Sequence, residues 1–143
     1  MKKLAFLILP FLLIPSISLA KSFGDFEGAI YIRNYDGDTV TFNLPGLHPI
    51  IGEKISIRVN GIDTPEIRGK CEKEKYNAKQ AKGMVADILK DAEQISLKNM
   101  ERGKYFRIAA DVFVDGENLA DMLIEAGMAI RYDGGKKIHK WCE

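Results

Sequence analysis

Cysteine and histidine are scarce in this chain, two of each in 143 residues. Cys71, Cys142, His48 and His139 are too few and too scattered to build a zinc site of thiolates and imidazoles. Charge of one sign is lacking as well. A formal net charge of +1 excludes a coat-like protein that holds nucleic acid through a strongly basic face, so any attraction to phosphate must be local. Nor is there an uninterrupted apolar run of the roughly 18 residues that a membrane span requires. The nearest, Leu4 to Leu13, contains Pro10 and is followed by Pro15, Ser16 and Ser18. Internal repeats, low-complexity tracts and linkers are absent, and the length suits one domain with a real core but not two.

What is present begins with a leader. Lys2 and Lys3 precede the apolar run, and Ser18-Leu19-Ala20 follows it as a small-x-small cleavage site, so residues 1–20 are expected to be a secretory signal peptide. Residues 21–143 then form a single exported domain, periplasmic or secreted. Removing two lysines and no acid shifts the formal charge from +1 to about −1. The residue right after the cleavage site is Lys21 and not a cysteine, so no lipid anchor is expected, and no membrane anchor should remain once the leader is removed. In an oxidising compartment the pair Cys71 and Cys142 is most simply a disulfide, worth roughly 4 kcal/mol on the chain-entropy view; two unpaired thiols are the alternative.

From Phe26 to Leu44 the pattern is β: Ala29 to Ile32, a break at Tyr35-Asp36-Gly37-Asp38, then Thr39 to Phe42. Pro45, Gly46, Pro49 and Gly52 mark a loop. Ile55, Ile57 and Val59 alternate with Ser56, Arg58 and Asn60, which predicts a half-buried strand with Arg58 on the face away from its aliphatic neighbours. A charged segment, Arg68 to Lys75, leads into a helix with Ala81, Met84, Val85, Ile88 and Leu89 on one stripe. Ile95 and Leu97 open a fourth strand, Glu101 to Lys104 reads as a loop, and Ile108 to Val114 is a fifth strand. Asn118 can cap a second helix whose apolar face is Leu119, Met122, Leu123 and Ala126, with Gly127 as its stop. The tail from Ile130 to Glu143 looks irregular, pinned by Cys142. This order fits an α+β, mainly β, chain and can be accommodated by a small Greek-key barrel of the OB type, without choosing it over other α+β arrangements.

The chemistry-bearing stretch is Arg58 to Glu66, where one guanidinium and two carboxylates meet Pro65. The proline ring restricts both its own φ and the backbone of Thr64, which stiffens the turn that carries Asp63 and Glu66. Asp36 and Asp38 flank Gly37 in an earlier turn. Carboxylates from two turns, with no histidine near them in sequence, suit an all-oxygen site for a hard cation such as Ca²⁺. An EF-hand is excluded, because its twelfth position counted from Asp36 is Leu47. Taken singly, Asp-Gly-Asp-Thr is an ordinary polar turn, and Asp-Thr-Pro-Glu a capping or turn device.

Their combination is more specific. Asp36-Gly37-Asp38-Thr39, then Arg58 with Asp63-Thr64-Pro65-Glu66 five residues on, then Lys104-Tyr105-Phe106-Arg107 resembles the thermonuclease family, the staphylococcal nuclease-like enzymes, from about Phe26 to Tyr132. The resemblance implies an OB-fold, a five-stranded Greek-key barrel with two to three helices, and Ca²⁺-dependent hydrolysis of DNA and RNA that leaves 3′-phosphate ends. By the same resemblance Asp38, Asp63 and the backbone carbonyl of Thr64 would hold the metal, and Glu66 would be the general base. Arg58 and Arg107 would grip the phosphate, Tyr105 would be a lesser substrate contact, and Tyr132 matches a second substrate tyrosine loosely. Asp36 stands beside the metal without being a ligand. Phe106 occupies a position where glycine is frequent, and a long basic tail is replaced by Asp133-Gly134-Gly135-Lys136-Lys137. Nothing suggests more than a monomer. The rival expectation is a non-catalytic OB module that binds an oligonucleotide or a protein partner.

Overall fold

The structure, a computed structural model, describes residues 22–103 and 107–143. The expected leader and Tyr105 lie outside the described residues. In chain order the elements are β1 Phe26–Glu27, β2 Ile30–Asn34, β3 Thr39–Asn43, α1 Pro49–Gly52, β4 Ile55–Val59, β5 Ile62–Asp63 and α2 Glu72–Asp91. They continue with β6 Ile95–Arg102, β7 Ile108–Val114, β8 Glu117–Asn118, α3 Leu119–Glu125 and β9 Ile130–Arg131.

The five expected strands are all there, as β2, β3, β4, β6 and β7. Their sheet runs β1-β6-β7-β4-β3-β2, with β8 on the side of β7, while β5 and β9 pair separately. Among the described residues all strand pairings are antiparallel except β4 with β7. This mixed sheet curls into a half-barrel with three helices, the α+β architecture of an OB-type fold. Val40, Phe42, Ile57, Val59, Leu97 and Val112 fill its inside, and α3 adds Leu119 and Leu123. Alternation explains the strands: in β3 and β4 the buried residues are every second one, which leaves Thr39, Thr41 and Arg58 half-buried on the other side.

Helix α2 covers the sheet with Ala78, Ala81, Val85 and Leu89, all buried. Cys71 is its N-cap and accepts from the Glu74 N–H at 3.4 Å, while Glu72 and Glu74 place negative charge at its positive end. The helix therefore starts inside the charged segment that was expected only to lead into it. Three further differences have local causes. The Pro45–Gly52 region is not all loop, because Pro49 at the first helical position and a capping His48 start the short α1. Glu101 and Arg102 belong to β6, where antiparallel pairing with Ala109 and Ile108 overrides the loop-like composition. Ala126 is the exposed C-cap just beyond α3, so the apolar face of that helix stops at Leu123 and Ile124. Asn118 does cap it, its Oδ1 accepting from the Ala120 N–H at 2.8 Å.

The register places Arg58 centrally. It lies opposite Thr39 on β3 and opposite Ala109 on β7, two residues beyond Arg107.

Candidate active site

The first acidic turn is shaped from within. Tyr35 N–H donates to the Thr39 carbonyl at 2.9 Å, closing the hairpin, and Asp36 Oδ1 accepts from the Asp38 N–H at 3.1 Å. Asn34, 5 % exposed, donates through Nδ2 to the carbonyls of Asp36 and Lys82, at 2.8 and 3.0 Å, and its Oδ1 accepts from the Tyr31 hydroxyl at 2.6 Å. One buried amide thus fastens the turn to α2.

The second turn is packed directly against the first. A Cβ on Gly37 would fall 2.8 Å from Thr64 Cγ2 and 3.1 Å from Ala81 Cβ, so only glycine lets the two turns and α2 approach this closely. Thr64 and Pro65 are fully buried. Beyond them Glu74, buried on α2, accepts backbone N–H groups from Glu66 at 3.3 Å and Lys70 at 2.9 Å, fixing the course of the chain that presents Glu66.

The packing brings the acids to one guanidinium. Arg58 Nη1 donates to Asp38 Oδ1 at 2.6 Å, and its Nη2 stands 3.8 Å from Asp63 Oδ1 and 3.5 Å from the Ile62 carbonyl. Asp38 and Asp63 are each 3 % exposed. Burial, followed by the charge of Asp36, pushes the Asp38 carboxyl up to about 6; Arg58 and the Thr39 hydroxyl pull the other way, and Asp63 adds to the rise. Arg58 was expected to face phosphate; it lines the cleft, but its fork is engaged by the carboxylates.

Lys137 is a member of this cluster that the sequence did not disclose. Its Nζ lies 2.6 Å from Asp63 Oδ1 and donates to Glu66 Oε1 at 2.8 Å. Asp63 Oδ1 is buried without a hydrogen bond of good angle, so the ammonium is an ion-pair neighbour rather than an aligned donor to it. Burial by itself would lower the ammonium's pKa, but the contacts with Asp63 and Glu66 together outweigh it and hold it above the ordinary lysine value.

An open cleft of about 680 Å³ lies in front, lined by Tyr35, Arg58, Glu66, Arg107, Tyr132 and Lys137 among others. Asp38 and Asp63 are not lining residues; they touch two that are, Arg58 and Lys137. Arg107 is exposed and makes no ion pair among the described residues, neither with Glu101 nor with Asp111. Tyr132 N–H donates to the Gly61 carbonyl, and its hydroxyl donates to the Gly135 carbonyl at 2.6 Å.

The disulfide expected between Cys71 and Cys142 is formed. Among the described residues, Cys71, Glu74 and Cys142 are also the only three ligand-type side chains whose donor atoms all lie within 4.8 Å of one another, but both sulfurs are bonded to each other. No three of Asp36, Asp38, Asp63 and Glu66 come that close together, and Arg58 and Lys137 stand among them. Their donor chemistry, two carboxylates beside the Thr64 backbone and no thiolate or imidazole, still fits a hard cation.

Sequence reasoning missed Asn34, Glu74 and Lys137. Glu74 carried no signal. Lys137 had one in its position near Cys142, since the expected disulfide had to draw the tail toward the loop after Glu66. No helix among the described residues is long and apolar enough to cross a membrane.

Comparison with curated proteins finds no match. Residues 56–140 match the family model described as staphylococcal nuclease homologue, a span that contains Arg58, Asp63, Glu66, Arg107, Tyr132 and Lys137 and begins after the Asp36–Thr39 turn. A match over more than half of the length, on an OB-type half-barrel with this cleft, means that the chain belongs to the staphylococcal nuclease homologue family, a family of nuclease-like or nucleic-acid-binding domains.

Proposed function

We propose that the protein is an exported, Ca²⁺-dependent nuclease that hydrolyses DNA and RNA with little sequence preference and works as a monomer. One observation carries the reading. Arg58 touches Asp38, stands 3.8 Å from Asp63, and shares a single cleft with Glu66 and Arg107.

Asp38, Asp63 and the Thr64 carbonyl would hold the calcium ion, which when bound supplies Lewis-acid polarisation of a phosphoryl oxygen. Glu66, half-exposed and held on a stiff turn, takes the proton from the attacking water. Arg107 presents its planar fork to the phosphate oxygens where negative charge builds up, and Arg58 joins it as the phosphate draws the fork from Asp38. Tyr132 offers an aromatic contact to the nucleotide, and Tyr105, two positions before Arg107 in the sequence motif, is a second candidate for one. The leader at 1–20 and the Cys71–Cys142 bond fit an oxidising, extracytoplasmic location.

The test is to incubate the mature protein with single-stranded DNA in calcium and in chelator. Calcium-dependent cleavage that Glu66→Gln reduces at least a hundredfold is expected; calcium-independent cleavage, or a Glu66→Gln protein as fast as the parent, sinks the mechanism. The second reading, an OB module that binds without turnover, is favoured by the engagement of Glu66 with Lys137. It predicts retention of the oligonucleotide intact in the same assay.

A further inference from the structure

The tail is fixed at both ends around the candidate site. At its start, β9 pairs with β5, setting Ile130 opposite Asp63 and Arg131 opposite Ile62, and Tyr132 continues the pairing to Gly61. At its end, Cys142 is bonded to Cys71, the N-cap of α2. Lys73 on α2 also donates to the Glu143 backbone carbonyl. Between these anchors the chain turns at Gly134-Gly135, where Asp133 Oδ1 accepts from the Gly135 N–H at 3.0 Å, and arrives at Lys137.

That geometry delivers one ammonium to two carboxylates. Lys137 Nζ takes Asp63 Oδ1 at 2.6 Å and Glu66 Oε1 at 2.8 Å. Its neighbour Lys136 is exposed and makes no ion pair among the described residues, so the arrangement selects Lys137 and does not reflect a diffuse basic patch. Two cations cannot share one carboxylate oxygen at contact distance without repelling each other. A tethered cation also acts at a high effective concentration, because its anchors have already restricted where it can go.

We propose that the segment from Tyr132 to Cys142 is a tethered cationic strap in which Lys137 competes with the divalent ion for Asp63 and screens Glu66, setting how much calcium the site requires. The inference rests on the calcium reading given above and adds to it a regulatory element. The Cys71–Cys142 bond gives the strap its grip. When it is cut by a dithiol reductant, two thiols form, the reductant becomes a cyclic disulfide, and Lys137 remains held from one side only.

Calcium binding to the mature protein, measured by titration calorimetry without substrate, tests this. Lys137→Met should bind calcium about tenfold more tightly than the parent, the scale of removing one partly exposed ion pair with its repulsion of the incoming ion. Lys137→Arg, which keeps the charge, should stay within a factor of about three of the parent. Lys136→Met removes the same formal charge outside the cluster and should leave the affinity at the parental value. The Cys71→Ser/Cys142→Ser protein should fall between the parent and Lys137→Met, and thermal melting of each variant checks that it is folded. Equal affinity in Lys137→Met and Lys136→Met overturns the strap while leaving the calcium site standing. Weaker binding in Lys137→Met also overturns it, by making Lys137 a supporting residue. If no variant binds calcium, the strap and the calcium reading fall together.

Discussion

Asp38 and Asp63 are each 3 % exposed and held by interlocked backbone, whereas the Lys137 side chain that reaches Asp63 is 45 % exposed and comes from a segment with little core of its own. The acidic turns gain their shape from contacts that tolerate no added atom, such as Gly37 against Thr64 and Ala81. The tail takes its place from two anchors, a strand pair and a disulfide. Packing preorganises a site at the cost of burying charge; tethers position a charge while leaving it free to yield. Such a division would suit the proposed site, whose acids stay fixed while an ion and a phosphate enter.

The largest effect should come from changing the side chain that joins the acids to the cleft. Arg58→Lys keeps the charge and loses the planar fork, so nuclease kcat/KM is expected to fall by a factor on the order of 10² to 10⁴. Steady-state kinetics on a short single-stranded DNA checks it, with urea melting to confirm that the fold persists. An Arg58→Lys enzyme within a factor of about three of the parent would mean that the fork serves Asp38 alone.

The tail is tested by releasing one anchor. Cys71→Ser/Cys142→Ser opens a loop with a sequence separation of 71 residues. Stability in urea should drop by roughly 4 kcal/mol on the chain-entropy view. A loss well under about 1 kcal/mol would show that strand pairing at Ile130–Arg131 holds the tail by itself, and the contrast between packed turns and tethered strap would weaken.

The packed side is tested at Gly37. A methyl there meets Thr64 Cγ2 at 2.8 Å, and that atom belongs to a buried β-branched side chain with little room to move. Gly37→Ala should therefore cost about 1–3 kcal/mol of stability in urea melts. Nuclease activity should decline further than the folded fraction alone accounts for, since the two acidic turns are pushed apart. Full activity in the folded Gly37→Ala protein would mean that their spacing does not matter.

How much of this could be read from the chain follows the range of the contacts. The alternation of Ile55, Ile57 and Val59, the stripe of α2 and the Asn118 cap depend on near neighbours, and each was legible. The Asp36-Gly37-Asp38 hairpin was legible for the same reason. Asn34 donating to the Lys82 carbonyl spans 48 residues, and Lys137 reaching Glu66 spans 71; no local pattern encodes either. The parallel pairing of β4 with β7 is equally non-local, yet it sets Arg58 next to the strand that Arg107 enters. The motifs identified the acids and arginines as candidates. They were silent on Arg58 bonding an acid in place of a phosphate, because that depends on which charges burial leaves closest together.

The smallest effect expected, and the one that separates the buried acid from the exposed strap, is a pH dependence. The Asp38 carboxyl is pushed up to about 6, chiefly by burial and then by the charge of Asp36, above the ordinary carboxylate value of 3.8. A group with a raised native pKa binds protons more readily in the folded chain. Its stabilising contribution is therefore complete below about pH 4 and is lost as pH rises through about 6. If Asp38 is the proposed calcium ligand, binding needs its ionised form, so affinity is expected to run in the opposite sense, falling about tenfold between pH 7 and pH 5. Calorimetric titrations at those two pH values, paired with urea melts of the parent and Asp38→Asn, read both trends. The stability advantage of the parent over Asp38→Asn should shrink from pH 4 to pH 7. Were it to grow instead, Arg58 would be holding Asp38 ionised throughout, and the buried acid would be as ready for calcium at pH 5 as at pH 7.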